Sequence, residues 1–273
     1  MPADRMRLFD RMSMPGSDVD PHYVPPPPAW LALTELQRVG LEVLSLSAVR
    51  RLLADLPGGD GHPVMVLPGF LGSDGYNAYL RRFLTRLGYA VHGWGCGRNL
   101  GPREGTLERL LERFHFLHER HGQPLTLVGH SLGGIFAREL ARQAPDKVRQ
   151  VISLGSPFGR GRMTASYPAR LFAALNPRDE LPVDEAFLHW APPVPTTAVY
   201  SRGDGIVNWQ TSVQQPDYAQ APVQNIQVRG SHCGMTLNPT VWYVLADRLR
   251  LPADDWQPFD PGVIERLVIP RQH

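Results

Sequence analysis

The chain has 273 residues, 42% of them hydrophobic and 20% charged, with a formal net charge of +2. This composition is ordinary for a globular protein and excludes a mostly disordered or collagen-like chain, while the length suffices for one substantial core. Lys147 is the only lysine, and the arginines are scattered among acidic residues without forming a run, so the clustered cations of a nucleic-acid surface are missing.

In chain order, the first twenty residues interleave charges with apolar residues and lack the continuous apolar centre of a secretory signal. No stretch approaches membrane-spanning length. Cys96 and Cys233 are too few for a disulfide framework; they are expected as reduced thiols in the cytoplasm, a bridge between them being the alternative. The segment to about Pro28 ends in VPPPP, a stiff extended run that reads as an arm laid over a surface or left free. From Ala29 to Leu56 the residues Trp30, Leu33, Leu36, Val39, Val43, Leu46, Val49 and Leu53 recur every three or four positions. That spacing predicts one or two amphipathic helices whose apolar stripe packs on the main domain or, alternatively, meets a membrane surface or a partner. Residues 1–60 are therefore expected as an N-terminal extension, 61–250 as the main domain and 251–273 as a tail.

After PGGDGHP the chain alternates short apolar runs with helical ones, the pattern of a parallel sheet with crossover helices. Strands are predicted at Val64–Leu67, Tyr89–Trp94, Leu125–Gly129, Val151–Leu154, Thr197–Ser201 and Asn225–Val228. Helices are predicted at Tyr76–Leu87, Leu107–His121, Leu132–Gln143 and Pro239–Arg250. The alternation breaks between Pro157 and Pro195, a Pro-rich insertion with a short helix near Ala169–Leu175, expected as a cap over an active site. Its residues Phe172, Leu175, Phe187, Leu188 and Trp190 face either substrate or core.

Gly129-His130-Ser131-Leu132-Gly133 falls where a predicted strand ends and a helix begins. The pentapeptide alone is common, but strand, sharp turn and helix in that order form the setting in which a serine is held exposed as a nucleophile. The flanking glycines keep side chains from colliding across the turn. Leu132, opening the helix, offers its N–H to a developing oxyanion. Asp204 follows the strand TAVYS between two glycines, so its carboxylate projects at the edge where Ser131 emerges. Asp179 and Asp184 are rivals without a strand ahead of them. His232 follows the last strand within GSHCG, which brings an imidazole to the same edge. His130 is expected to turn away from the reaction, and His115, His118 and His121 to lie on a solvated helix face, with no acid or thiol nearby to complete a metal site.

Together VMVLPGFLG, LVGHSLGG, YSRGDGIV and GSHCGM, in that order, resemble the α/β-hydrolase superfamily, and more closely its small bacterial lipases and esterases, across about Val64 to Arg250. The resemblance implies an α/β fold with a mostly parallel sheet of about six strands, Ser131 as nucleophile, His232 as general base and Asp204 as the orienting carboxylate. It places the second oxyanion N–H at Phe70, where this chain has Pro68-Gly69 in place of the family's frequent His-Gly. No cofactor or metal is called for. Trp94, Phe70, Phe158, Phe172, Trp190 and Trp209 lie on or near loops at that edge and are expected to form an apolar substrate pocket. The expected substrate is a small-molecule or lipid carboxylic ester. Acyl transfer to an alcohol shares every one of these residues, and a non-catalytic binding protein that kept the fold is the reading from another class.

Overall fold

A computed structural model describes residues 22–103, 105–176, 188–215, 219–252, 255–262 and 270. Helices α1 (Ala29–Leu33) and α2 (Glu35–Ala54) precede strand β1 (Pro63–Leu67), followed by α3 (Ala78–Arg86), β2 (Ala90–Gly93), α4 (Thr106–His121), β3 (Leu125–His130) and α5 (Leu132–Gln143). Then come β4 (Val148–Leu154), α6 (Ala169–Leu175), β5 (Thr196–Ser201), β6 (Val223–Val228) and α7 (Pro239–Leu249). The strands form one sheet in the order β2-β1-β3-β4-β5-β6, every neighbour parallel.

Parallel strands joined by crossover helices are covered on both faces, which is why β1, β3 and β5 are buried end to end and read as apolar runs. Alternate residues serve opposite layers. Val64, Val66 and Val128 pack with α3, α7 and the Leu46 and Leu53 side chains of α2, while Met65, Leu67 and Leu127 pack with α4 and α5. The chain runs outward from β1 to β2 and then returns to β1's other side with β3. At such a reversal the crossover helices leave from opposite faces and open a crevice at the strands' C-terminal ends.

The N-terminal helices form, but α1 and α2 do not bury the stripe that their apolar spacing predicts. Leu33 and Leu36 are 81% and 80% exposed, and Trp30 and Val43 are exposed as well. The buried face instead runs through Leu31, Glu35, Glu42, Leu46 and Leu53. The two patterns coincide only in the second half of α2, because the first half turns charged side chains inward. Ahead of α1 the proline arm lies on the insertion. The Val24 N–H donates to Thr164 Oγ1 at 3.2 Å, and the carbonyls of Pro25 and Pro27 accept from Asn208 Nδ2 and Tyr167 Oη at 2.9 and 2.8 Å. Within the insertion α6 sits where its sequence predicts, whereas Asp179, Asp184 and Phe187 lie outside the described residues. Among the described residues no helix is long and apolar enough to cross a membrane.

Candidate active site

Ser131 sits between the end of β3 and the start of α5 with φ 51° and ψ −121°, a positive-φ conformation rarely adopted outside glycine. Its N–H donates to the Leu154 carbonyl at 2.8 Å, tying the turn to β4. A Cβ on Gly129 would strike the backbone of Gly133 and Gly134, and one on Gly133 would strike the Leu67 carbonyl. The turn therefore closes only with hydrogen at both positions.

Asp204 follows β5 and is buried. Its Oδ1 accepts the N–H groups of Ile206 and Val207 at 2.9 and 2.7 Å, and its Oδ2 lies 2.6 Å from Nδ1 of His232 in the loop after β6. Burial alone would lower the His232 pKa, but the charge and hydrogen bond of Asp204, with help from Glu35, outweigh it and hold the imidazole above its ordinary value. His130 is turned from the cleft as its sequence position predicts. It stacks on Tyr76 and places Nε2 3.0 Å from the His232 carbonyl. Burial, then the neighbouring His232, push its pKa down to about 3. A neutral His130 therefore donates Nε2–H to that carbonyl. The Cys233 thiol is pushed up to about 12, first by burial and then by the Glu35 and Asp204 carboxylates, which keeps it protonated and unreactive.

Ser131 opens into a cleft lined by Phe70, Leu132, Ile135, Phe136, Met163, Ala169, Phe172 and Leu188, with Arg162 and Ser166 as polar members. Phe70 packs edge-on against Phe172 of α6, their centroids 5.5 Å apart. The loop carrying Phe70 is braced by buried Asn99. Its Nδ2 donates to the Pro68 carbonyl at 2.7 Å, and its own carbonyl accepts from the Leu71 N–H at 2.7 Å. Among the described residues neither the Phe70 nor the Leu132 N–H is committed to a backbone partner outside a helix or strand.

Of the aromatic residues expected at the pocket, Phe70 and Phe172 line it and the others do not. Trp94 is fully buried beside Phe136, with Nε1 donating to the Gly97 carbonyl at 2.9 Å. Phe158 is buried beneath the Arg138 guanidinium, 3.8 Å from its ring centroid. Trp209 stacks on Tyr200 under Arg202, and Trp190 is partly exposed, its carbonyl accepting from Arg138 and Arg142. An aromatic residue at a strand end satisfies the same sequence pattern whether it faces cleft or core.

Glu35, Arg38 and Glu42 of α2 reach the loops around Asp204 and His232, and the sequence reading assigns them no role. Of the helical histidines, His115 Nδ1 lies 3.2 Å from Lys147 Nζ and His121 Nε2 lies 2.8 Å from His92 Nε2. Among the described residues no cluster of three or more His, Cys, Asp or Glu side chains is placed to hold a metal ion.

Residues 62–178 match the family model described as the alpha/beta hydrolase fold. No curated protein sequence matches the chain. Solved structures similar to it include a metagenome-derived lipolytic enzyme of the LipS and LipT study, at 18% identity and TM-score 0.55 over 71% of this chain and 93% of that one. Aspergillus fumigatus lipase B is similar at 19% identity and TM-score 0.54, over 72% of this chain and 55% of that one. The pyrethroid hydrolase PytH is similar at 17% identity and TM-score 0.50, over 71% of this chain and 99% of that one. At these identities the likeness is one of fold.

Proposed function

We propose that this chain, which carries the α/β-hydrolase fold, hydrolyses carboxylic esters of hydrophobic acids through an acyl-enzyme on Ser131. One observation carries the reading. A strained serine opens into an apolar cleft at the sheet edge where a buried carboxylate holds a histidine at 2.6 Å. His232, its Nδ1–H held by Asp204, presents Nε2 as the base that takes the Ser131 proton during attack on the acyl carbonyl. Asp204 stabilises the resulting imidazolium without taking the proton itself. The Phe70 and Leu132 N–H groups receive the tetrahedral oxyanion, a contribution of about a hundred- to a thousandfold per donor in such enzymes. His232 then protonates the leaving alkoxide, and water activated by the same base releases the acid. The lining contributed by Ile135, Phe136, Phe172 and Leu188 suits an aliphatic or aromatic acyl group. The lipolytic and lipase descriptions of the structural neighbours point the same way.

A fluorophosphonate probe is expected to modify the wild-type chain and not Ser131→Ala, and the variant to lose turnover of p-nitrophenyl esters by several orders of magnitude. Equal labelling and undiminished turnover in the variant would overturn the proposal. Product analysis with added alcohols separates hydrolysis from acyl transfer.

A further inference from the structure

Glu35, Arg38 and Glu42 stand three and four residues apart, a spacing that puts them on one face of α2. Glu35 and Glu42 are 3% and 8% exposed, although both are ionisable. Burying two carboxylates on one helix face is unfavourable unless each is met by several donors. The donors are the backbones of two loops. The N–H groups of Gly205 and Cys233 donate to the two oxygens of Glu35 at 3.2 and 2.8 Å. Arg38 donates to Glu35 at 2.7 Å and also to the Gly203 carbonyl. Glu42 accepts from the Ser231 N–H and hydroxyl, both at 2.6 Å. A Cβ on Gly234 would collide with the Glu42 carboxylate, so the second loop is shaped to receive it.

Each residue flanking Asp204 and His232 along the chain, namely Gly203, Gly205, Ser231 and Cys233, is thus bonded to one of three side chains from a single helix. Glu35 alone bridges the two loops. We propose that Glu35, Arg38 and Glu42 are positioning residues that hold the Asp204 and His232 loops in register, making the N-terminal helix part of the catalytic apparatus. The inference rests on the reading of Asp204 and His232 as acid and base. A helix acting only as a cover has no need of charged groups aimed at those two loops. Bonds to ionised acceptors are about twice as strong as neutral ones, which suits them to fixing two flexible turns.

The donor pattern makes the substitutions unequal. In Glu42→Gln the amide oxygen still accepts the Ser231 N–H, and its NH2 donates to the Ser231 hydroxyl. In Glu35→Gln only one oxygen remains for two amides. We therefore expect kcat to fall about threefold in Glu42→Gln and about ten- to a hundredfold in Glu42→Ala and Glu35→Gln, with KM for a p-nitrophenyl ester within about twofold. His232 is faced by Asp204, by His130, by Glu35 and, through their own loop, by Cys233, Tyr76 and Glu42. Removing the Glu35 charge is expected to move the acid limb of kcat/KM to lower pH.

The rate of fluorophosphonate addition to Ser131 reads the same loss of activation without a substrate, and circular dichroism verifies folding. If Glu35→Gln is not recovered folded, Arg38→Gln leaves both carboxylates in place and is expected to lower kcat about five- to tenfold. Folded variants with kcat and probe rate within twofold of wild type and an unmoved acid limb would overturn the inference. Asp204→Asn and His232→Ala are assayed beside them. Full turnover in that pair sinks the assignment of acid and base, whereas its loss there alone sinks only the role of α2.

Discussion

Asp204 uses its two oxygens differently, Oδ1 for the amides of its own turn and Oδ2 for His232. In Asp204→Asn the side chain can keep the turn, but an amide NH2 facing Nδ1 forces the imidazole into the tautomer whose Nε2 carries hydrogen and cannot accept a proton. Turnover is expected to fall by about four orders of magnitude with the fold retained. Burial lowers the His232 pKa and Asp204 raises it, so the residual activity of the variant is expected to have its acid limb at lower pH; a pH series of kcat/KM checks both claims. The turns that carry Ser131, Asp204 and His232 were legible in the sequence because each is flanked by glycines and follows a strand. Glu35, Arg38, Glu42 and Asn99 were not. Their partners are mostly backbone atoms distant in the chain, and a bond to an N–H or a carbonyl leaves no residue type to recognise at the other end.

Along the chain, the central strands were readable because a strand covered on both faces is rich in apolar residues, and the helices between them because their apolar residues recur at helical spacing. β4 begins earlier than predicted, at Val148, because Arg149 and Gln150 interrupt the apolar run while their backbone still pairs in the sheet. The face of α2 was misread for a related reason. Periodicity weighs apolar residues only, and here the inward positions are partly carboxylates whose burial depends on loops some 170 to 200 residues away. Helix α6 lies where its sequence predicts, yet the side chains around it divide in a way spacing does not reveal. Phe172 lines the cleft and Trp190 does not. Each added methylene in an apolar site is worth about 0.8 kcal/mol, or roughly fourfold in kcat/KM. Phe172→Ala is accordingly expected to flatten that rise for longer acyl chains, and Trp190→Ala to leave the profile unchanged. Identical profiles for Phe172→Ala and wild type would move the acyl chain elsewhere in the cleft.

At the scale of the whole molecule, the arm and α2 run from the insertion to the loops around Asp204 and His232, so the N-terminal segment ties the insertion to those loops. The same loops couple folding to pH. His130 is buried neutral, its pKa lowered from 6.5 to about 3. A histidine depressed in the folded state contributes stability that is fully present above the unfolded value and lost as pH falls toward the folded one. His232 is raised, and its contribution is complete below 6.5 and lost only at higher pH. Between pH 6.5 and 4.5 His130 is thus expected to impose a slope approaching about 1.4 kcal/mol per pH unit, which His130→Gln removes. Urea unfolding of both chains across that range decides it, equal slopes counting against a buried neutral His130.

The backbone at Ser131 carries a further, thermal consequence. Glycine adopts φ 51° and ψ −121° freely, whereas a residue with a side chain does so at about 1–3 kcal/mol. Ser131→Gly and Ser131→Ala both delete the proposed nucleophile, but only the first relieves the strain, less about 0.4–1 kcal/mol for glycine's looser unfolded chain. The glycine variant is expected to melt about 2–4 °C above the alanine one in a calorimeter. A side chain kept at this position lowers heat tolerance, so a search for more heat-resistant variants that ignores turnover would be drawn to replace the residue proposed to perform the chemistry.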